Sequence, residues 1–141
     1  MIKKAIFLFI ILLSASCDKI SDDELKQHLP GYWEITKVVT AEGDAKEYKV
    51  STTIDLIKLT DHRKGFRKKV QPNLNGTFFG SDDLEEFSII EKDDHYWMAY
   101  TTDLMKWKEK IKSISKDEFI VENENGLTYY YKRYTPLKID E

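Results

Sequence analysis

Residues 105–113 read Met-Lys-Trp-Lys-Glu-Lys-Ile-Lys-Ser, an alternation with a period of two. In an extended chain, successive side chains point to opposite faces. Lys106, Lys108, Lys110 and Lys112 therefore share one face, and Met105, Trp107, Glu109, Ile111 and Ser113 share the other. A row of four lysines faces water, because lysine is almost never buried without a partner. Trp107 and Ile111 must then point into a core, and Glu109 points with them. Two readings of Glu109 stay open. It lies at a strand end that water reaches, or it is a polar spot inside an otherwise apolar interior.

The same period governs the chain from Gly31 onward. Tyr32–Thr40 is rich in aromatic and β-branched residues. Glu47–Leu59 is a second run whose apolar parity shifts near Leu56 and Ile57, as a bulge would cause. Further runs cover Lys64–Val70, Gly76–Gly80, Leu84–Glu91, His95–Thr101, Met105–Ser115, Glu118–Glu122 and Leu127–Thr135. Lys92-Asp93-Asp94 reads as a hairpin turn, and Asn125-Gly126 supplies the positive φ that tight turns demand. Eight to nine short strands with short connections predict an all-β antiparallel meander. Closure into an eight-stranded up-and-down barrel removes its exposed edges.

Ahead of the strands, Ser21-Asp22-Asp23-Glu24 has the spacing of a capping box, Leu25 and Leu29 share a helical face, and Pro30-Gly31 stops the helix. Lys3 and Lys4, the apolar run Ala5–Leu13, and Ser14-Ala15-Ser16 before Cys17 have the zones of a secretory leader. The run is much shorter than the ~20 apolar residues of a spanning helix. Cys17 is the only cysteine, so no disulfide forms within the chain. The expected organisation is a leader over 1–16, a tether and short helix over 17–29, a barrel over 30–136 and a tail over 137–141. Losing the leader takes Lys+Arg from 22 to 20 against 25 Asp+Glu, moving the net charge from −3 to −5. So acidic a domain is not a general nucleic-acid binder.

Two resemblances add to this reading. Leu13-Ser14-Ala15-Ser16-Cys17 resembles the lipobox of bacterial lipoproteins, with Ser14 where an aliphatic residue usually stands. It implies lipidation of Cys17 and anchoring to the membrane of the cell envelope. The acidic Ser21–Glu24 stretch, read above as a cap, also resembles the export tag of surface-displayed Bacteroidota lipoproteins, so the outer-membrane anchor implied here leaves both a periplasmic and a surface-exposed domain open. Gly31-Tyr32-Trp33 after a short helix, with Arg133 on the last strand, resembles the G-x-W signature and the late arginine of lipocalins. The layout from Gly31 to about Tyr134 is similar to the lipocalin-like domains of small Bacteroidota lipoproteins. The resemblance implies a calycin-like barrel in which Arg133 packs over Trp33 at a closed end.

Signals for catalysis are sparse. His28, His62 and His95 lie in separate segments without metal-pair spacing, and no phosphate-cradling loop or nucleophile elbow is present. No cofactor, metal or enzymatic activity is expected. The acidic Asp82, Asp83, Glu85 and Glu86 lack a calcium-loop frame. Arg63–Lys69 reads as a solvated strand face, or as a contact for nucleic acid or, in a lipid-tethered domain, for anionic headgroups. An eight-stranded barrel is either filled by its side chains or holds one small ligand. A carrier would take a small, partly apolar molecule against Trp107, Tyr96, Met98, Tyr100 and Tyr129. Glu109 would fix its orientation, and Lys37 would share the inner face with Trp33, Ile35 and Val39, unless Lys37 and Glu109 simply pair. A filled scaffold would instead dock an envelope protein through Gln71–Gly76 and Ser81–Glu86.

Overall fold

The computed structural model describes residues 19–136. Cys17, the leader and the 137–141 tail lie outside the described residues. The chain opens with helix α1 (Asp22–His28) and continues through strands β1 (Gly31–Val39), β2 (Ala45–Glu47), β3 (Ile54–Asp61), β4 (Lys64–Pro72) and β5 (Phe78–Gly80). It ends with β6 (Glu85–Lys92), β7 (His95–Thr101), β8 (Lys106–Ile114), β9 (Glu118–Asn123) and β10 (Thr128–Arg133). Eight of these strands pair antiparallel in chain order, β1-β3-β4-β6-β7-β8-β9-β10, and β10 returns to β1. The result is a closed eight-stranded up-and-down barrel. The short strands β2 and β5 pair with β1 and β4 outside that circuit.

Local chemistry sets the ends of the elements. The Ser21 hydroxyl accepts from the Glu24 amide at 3.2 Å, and the Ser21 amide donates to Glu24 Oε2 at 2.9 Å, completing the capping box. Leu25 and Leu29 lie on the buried side of the helix and plug one end of the barrel. Asp93 and Asp94 both take positive φ (53° and 60°), the primed turn that matches strand twist. The β9–β10 connection is longer than a two-residue turn. The Asn123 amide donates to Leu127 O at 2.9 Å, and only Gly126 (φ 79°) takes the left-handed conformation.

Two sequence expectations change here. Glu47–Leu59 is not one strand, since β2 ends at Glu47 and β3 begins at Ile54. Nor is there a bulge at Leu56 and Ile57, because β3 and β4 stay in register from Ile54↔Val70 to Leu59↔Gly65. The parity shift has another cause. Asp55 and Ile57 face the interior, while Ile54, Leu56 and Val70 face outward into a second small core with Tyr32, Phe78 and Tyr134. The Phe78 ring stacks on Tyr32 at 4.3 Å, so β5 folds back over the outside of the barrel and buries both faces of β3.

Candidate ligand site at the barrel mouth

The end sealed by α1 is held by Arg133. Its guanidinium lies 3.8 Å from the centroid of the fully buried Trp33 indole. Its Nη1 donates to Pro30 O and its Nε to Lys116 O, both at 2.8 Å. The Trp33 Nε1 donates to Leu29 O at 2.9 Å, tying the helix end to the same stack. Gly31 is required twice over. It adopts φ 130°, and a Cβ there would stand 2.4 Å from Arg133 Nη1.

Packing above this seal is dense. Trp33, Met98, Tyr100, Ile111 and Val121 are fully buried, and Phe87, Ile89, Phe119 and Tyr131 are nearly so. Tyr96 belongs to the sealed end and not to the mouth. Its hydroxyl donates to Asp22 at 3.2 Å, beside the Arg63–Asp22 ion pair at 3.0 Å. Lys37 does not share the inner face. One extra residue, Thr36, interrupts the β1–β10 register, so Lys37 pairs with outward Tyr130 and lies 4.3 Å from that ring. It is not the partner of Glu109.

Towards the opposite end the interior becomes polar. Glu109 is on the inner face of β8 and buried, so the strand-end reading does not hold. Its partner is Arg67, whose Nη1 is 3.5 Å from Glu109 Oε2. The same guanidinium donates to both Glu85 oxygens at 3.3 Å and lies 4.5 Å from the centroid of the Tyr100 ring. Trp107 stacks on Tyr100 at 5.0 Å with 9° between the planes. Beside this group, Asp55 is buried 3% exposed on β3 with the Lys69 ammonium against it. Trp107 and Tyr129 are half-buried, and the Tyr129 hydroxyl meets Asn123 Nδ2 at 3.5 Å.

The electrostatics of this cluster are unequal. Burial works against the Arg67 charge, but Tyr100, Glu109 and Asp55 around it more than offset that and hold the guanidinium well above its ordinary value. Burial pushes the Glu109 carboxyl up from its ordinary value, against the pull of Arg67. Glu109 Oε2 is buried without a hydrogen-bond partner. A buried acceptor left in that state costs about 1–3 kcal/mol, and more when charged. Asp55 Oδ1 is the second buried oxygen without a hydrogen bond, with the Lys69 ammonium against it, which leaves Glu109 Oε2 to meet a donor arriving from the mouth.

Arg67, Glu85, Asp55 and Lys69 are members of the cluster that sequence reasoning missed. Arg63–Lys69 carries cations on both faces of the strand, which hides the inward one. One available signal was Gly65, whose lack of a Cβ allows close approach at a point where a Cβ would stand 2.2 Å from Lys58 O and 2.8 Å from Phe87 Cζ. Gly65 and Arg67 share a face. Among the described residues, no group of three or more histidine, cysteine, aspartate or glutamate side chains could hold a metal ion.

The barrel is similar to two solved structures. One is a lipocalin-like protein from Bacteroides uniformis, 12% identical, with a TM-score of 0.47 over 75% of this chain and 98% of that one. The other is a de novo designed fluorescence-activating β-barrel, 14% identical, with a TM-score of 0.46 over 79% of this chain and 98% of that one. Both likenesses are of fold alone. No family model and no curated protein sequence matches the chain.

Proposed function

We propose that this is a non-enzymatic binding protein of the cell envelope that takes one small, partly apolar molecule at the open end of its barrel. The observation that carries this reading is Glu109 Oε2, a buried acceptor without a hydrogen bond, beneath the half-buried rings of Trp107 and Tyr129. Because the sealed half is filled by side chains, the ligand occupies the mouth and is correspondingly small. Lipidated Cys17 holds the domain at the outer membrane, facing the periplasm or the cell surface. Among the described residues no helix is long and apolar enough to cross a membrane.

The test is tryptophan emission from the full chain in lipid vesicles, titrated with fatty acids, haem and aromatic metabolites against protein-free vesicles. A saturable change below the millimolar range that disappears in Trp107→Phe supports the reading. No saturable change with any member of the panel contradicts it.

A second reading, a scaffold that docks an envelope protein, draws on the outer flap. Leu74 and Phe79 there are 79% and 68% exposed, and Val50 across a concavity of about 870 Å³ is 84% exposed. Crosslinking in intact cells from position 74 distinguishes it: a specific protein adduct favours the scaffold, and none counts against it.

A further inference from the structure

The cluster below the mouth holds three carboxylates, Asp55, Glu85 and Glu109, against two cations, Arg67 and Lys69. Lys69 is committed to Asp55, and Arg67 is shared between Glu85 and Glu109. One negative charge is left over. Asp55 Oδ1 and Glu109 Oε2 are both buried without a hydrogen bond, but Lys69 serves Asp55 alone while Glu109 shares Arg67 with Glu85, so the excess is assigned to Glu109. The Glu109 side chain is only 9% exposed, so water does not neutralise that charge. The rim repeats the sign. A concavity of about 660 Å³ between the start of β6 and the β7–β8 loop is lined by Asp82, Asp83, Glu85, Glu86 and Asp103.

Resting on the binding function proposed above, we infer that the ligand is an organic cation: a protonated amine on a flat apolar body. The body lies against Trp107 and Tyr129, and the ammonium donates to Glu109 Oε2. Three features of the mouth support this class. The acidic rim raises the local concentration of cations and steers them inward. The aromatic faces of Trp107 and Tyr129 attract a cation through their quadrupoles. The ammonium supplies both the missing donor and the missing charge. An anionic ligand would meet the excess carboxylate without a free cation to receive it, since Arg67 and Lys69 are already paired.

The groups facing Glu109 fix how binding depends on pH. They are Arg67 from β4, Asp55 from β3, Glu85 from β6, Tyr100 from β7, Asn123 from β9, and Tyr129 and Tyr131 from β10. Burial favours a proton on Glu109 over the bare carboxylate, the direction of its raised pKa. The arriving ammonium takes the place of that proton. Amine affinity therefore rises with pH through the Glu109 titration for as long as the amine stays protonated.

The experiment compares 2-phenylethylamine, 2-phenylethanol and 3-phenylpropionate on the full chain in lipid vesicles, read by tryptophan emission excited beyond the ligands' absorption. The amine is expected to bind at least about tenfold more tightly than the alcohol, the size of one charge-assisted hydrogen bond. In Glu109→Gln that advantage is expected to shrink to less than about threefold. Calorimetry of the unmodified protein in two buffers of different ionisation heat serves as a second readout, independent of any variant's folding. At a pH within the Glu109 titration, located by carbon NMR, proton release on amine binding is expected, and its absence there overturns the inference. Equal binding of amine and alcohol, or preference for the carboxylate, overturns the cation inference while leaving a binding protein. No binding of any of the three, together with no response to the wider panel above, overturns both.

Discussion

Arg67 and Glu109 face each other across the barrel interior with Nη1 and Oε2 3.5 Å apart, on strands β4 and β8 that are not neighbours in the sheet. Their attraction does not cover the cost of burying Glu109, since its carboxyl titrates above its ordinary value. A buried pair of this kind is a poor stabiliser but a costly one to break, because removing one partner strands the other. That asymmetry is what a binding site requires and a plain core does not.

Replacing Arg67 by leucine is expected to destabilise the fold by about 3–5 kcal/mol in urea unfolding, because Glu109 is left buried without a counter-charge. Adding Glu109→Gln to that variant should recover most of the loss. An unrecovered double variant would place the role of Arg67 in its contact with Tyr100, and not in its charge.

The raised Glu109 pKa gives a sign for pH dependence. The group contributes stability that is fully present below its unfolded value of about 4.3 and is lost as pH rises through the folded value. Glu109→Gln removes this titration. Between pH 4 and pH 7 the unmodified protein should therefore lose more stability, or gain less, than the variant. Parallel stability profiles for the two proteins would contradict the assignment.

At the sealed end, Arg133→Ala should cost about 2 kcal/mol or more, since it removes the stack on Trp33 and uncovers the Pro30 and Lys116 carbonyls. Arg133→Lys should restore less than half of that, because an ammonium cannot reproduce the planar fork. Gly31→Ala should be costly alone, and less so in the Arg133→Ala background where the clash at Nη1 is gone. A residual penalty from the φ of 130° should remain. Thermal unfolding of the four proteins checks the coupling.

Gly65→Ala should destabilise by about 1–3 kcal/mol as overpacking. A Cβ there meets the Lys58 carbonyl at 2.2 Å, a backbone atom that cannot rotate away. Trimming Phe87 to leucine should therefore fail to rescue the variant, which distinguishes a backbone clash from a side-chain one.

Much of this architecture was legible because each signal was local. Four alternating lysines gave the facing of β8 as far as Ile111, including inward Glu109; an irregularity at Lys112 then turns Ser113 outward and Ile114 inward, against the alternation. The sealed end is the exception: the packing of Arg133 over Trp33 was implied by the resemblance to lipocalins and not by a local pattern, and one close approach at Gly31 fixes all three. What stayed hidden depended on events that leave no mark in an apolar pattern. One extra residue at Thr36 turned Lys37 outward. A flap over the outside of β3 buried Ile54 and Leu56 alongside inward Asp55 and Ile57, imitating a bulge. Arg67 was lost among neighbours of its own charge, and its inward facing is settled only by the register of β4 against β3 and β6. Tyr96 has the correct face but lies at the sealed end, a distinction that alternation does not encode.

The most direct test of the binding site is the carboxyl resonance of Glu109, followed by carbon NMR in glutamate-labelled protein and assigned by its loss in Glu109→Gln. Without ligand it should titrate above the ordinary carboxyl range, and saturation with 2-phenylethylamine should move its inflection down. An ordinary titration, unmoved by the amine or by any small molecule of the wider panel, would contradict a ligand site at Glu109.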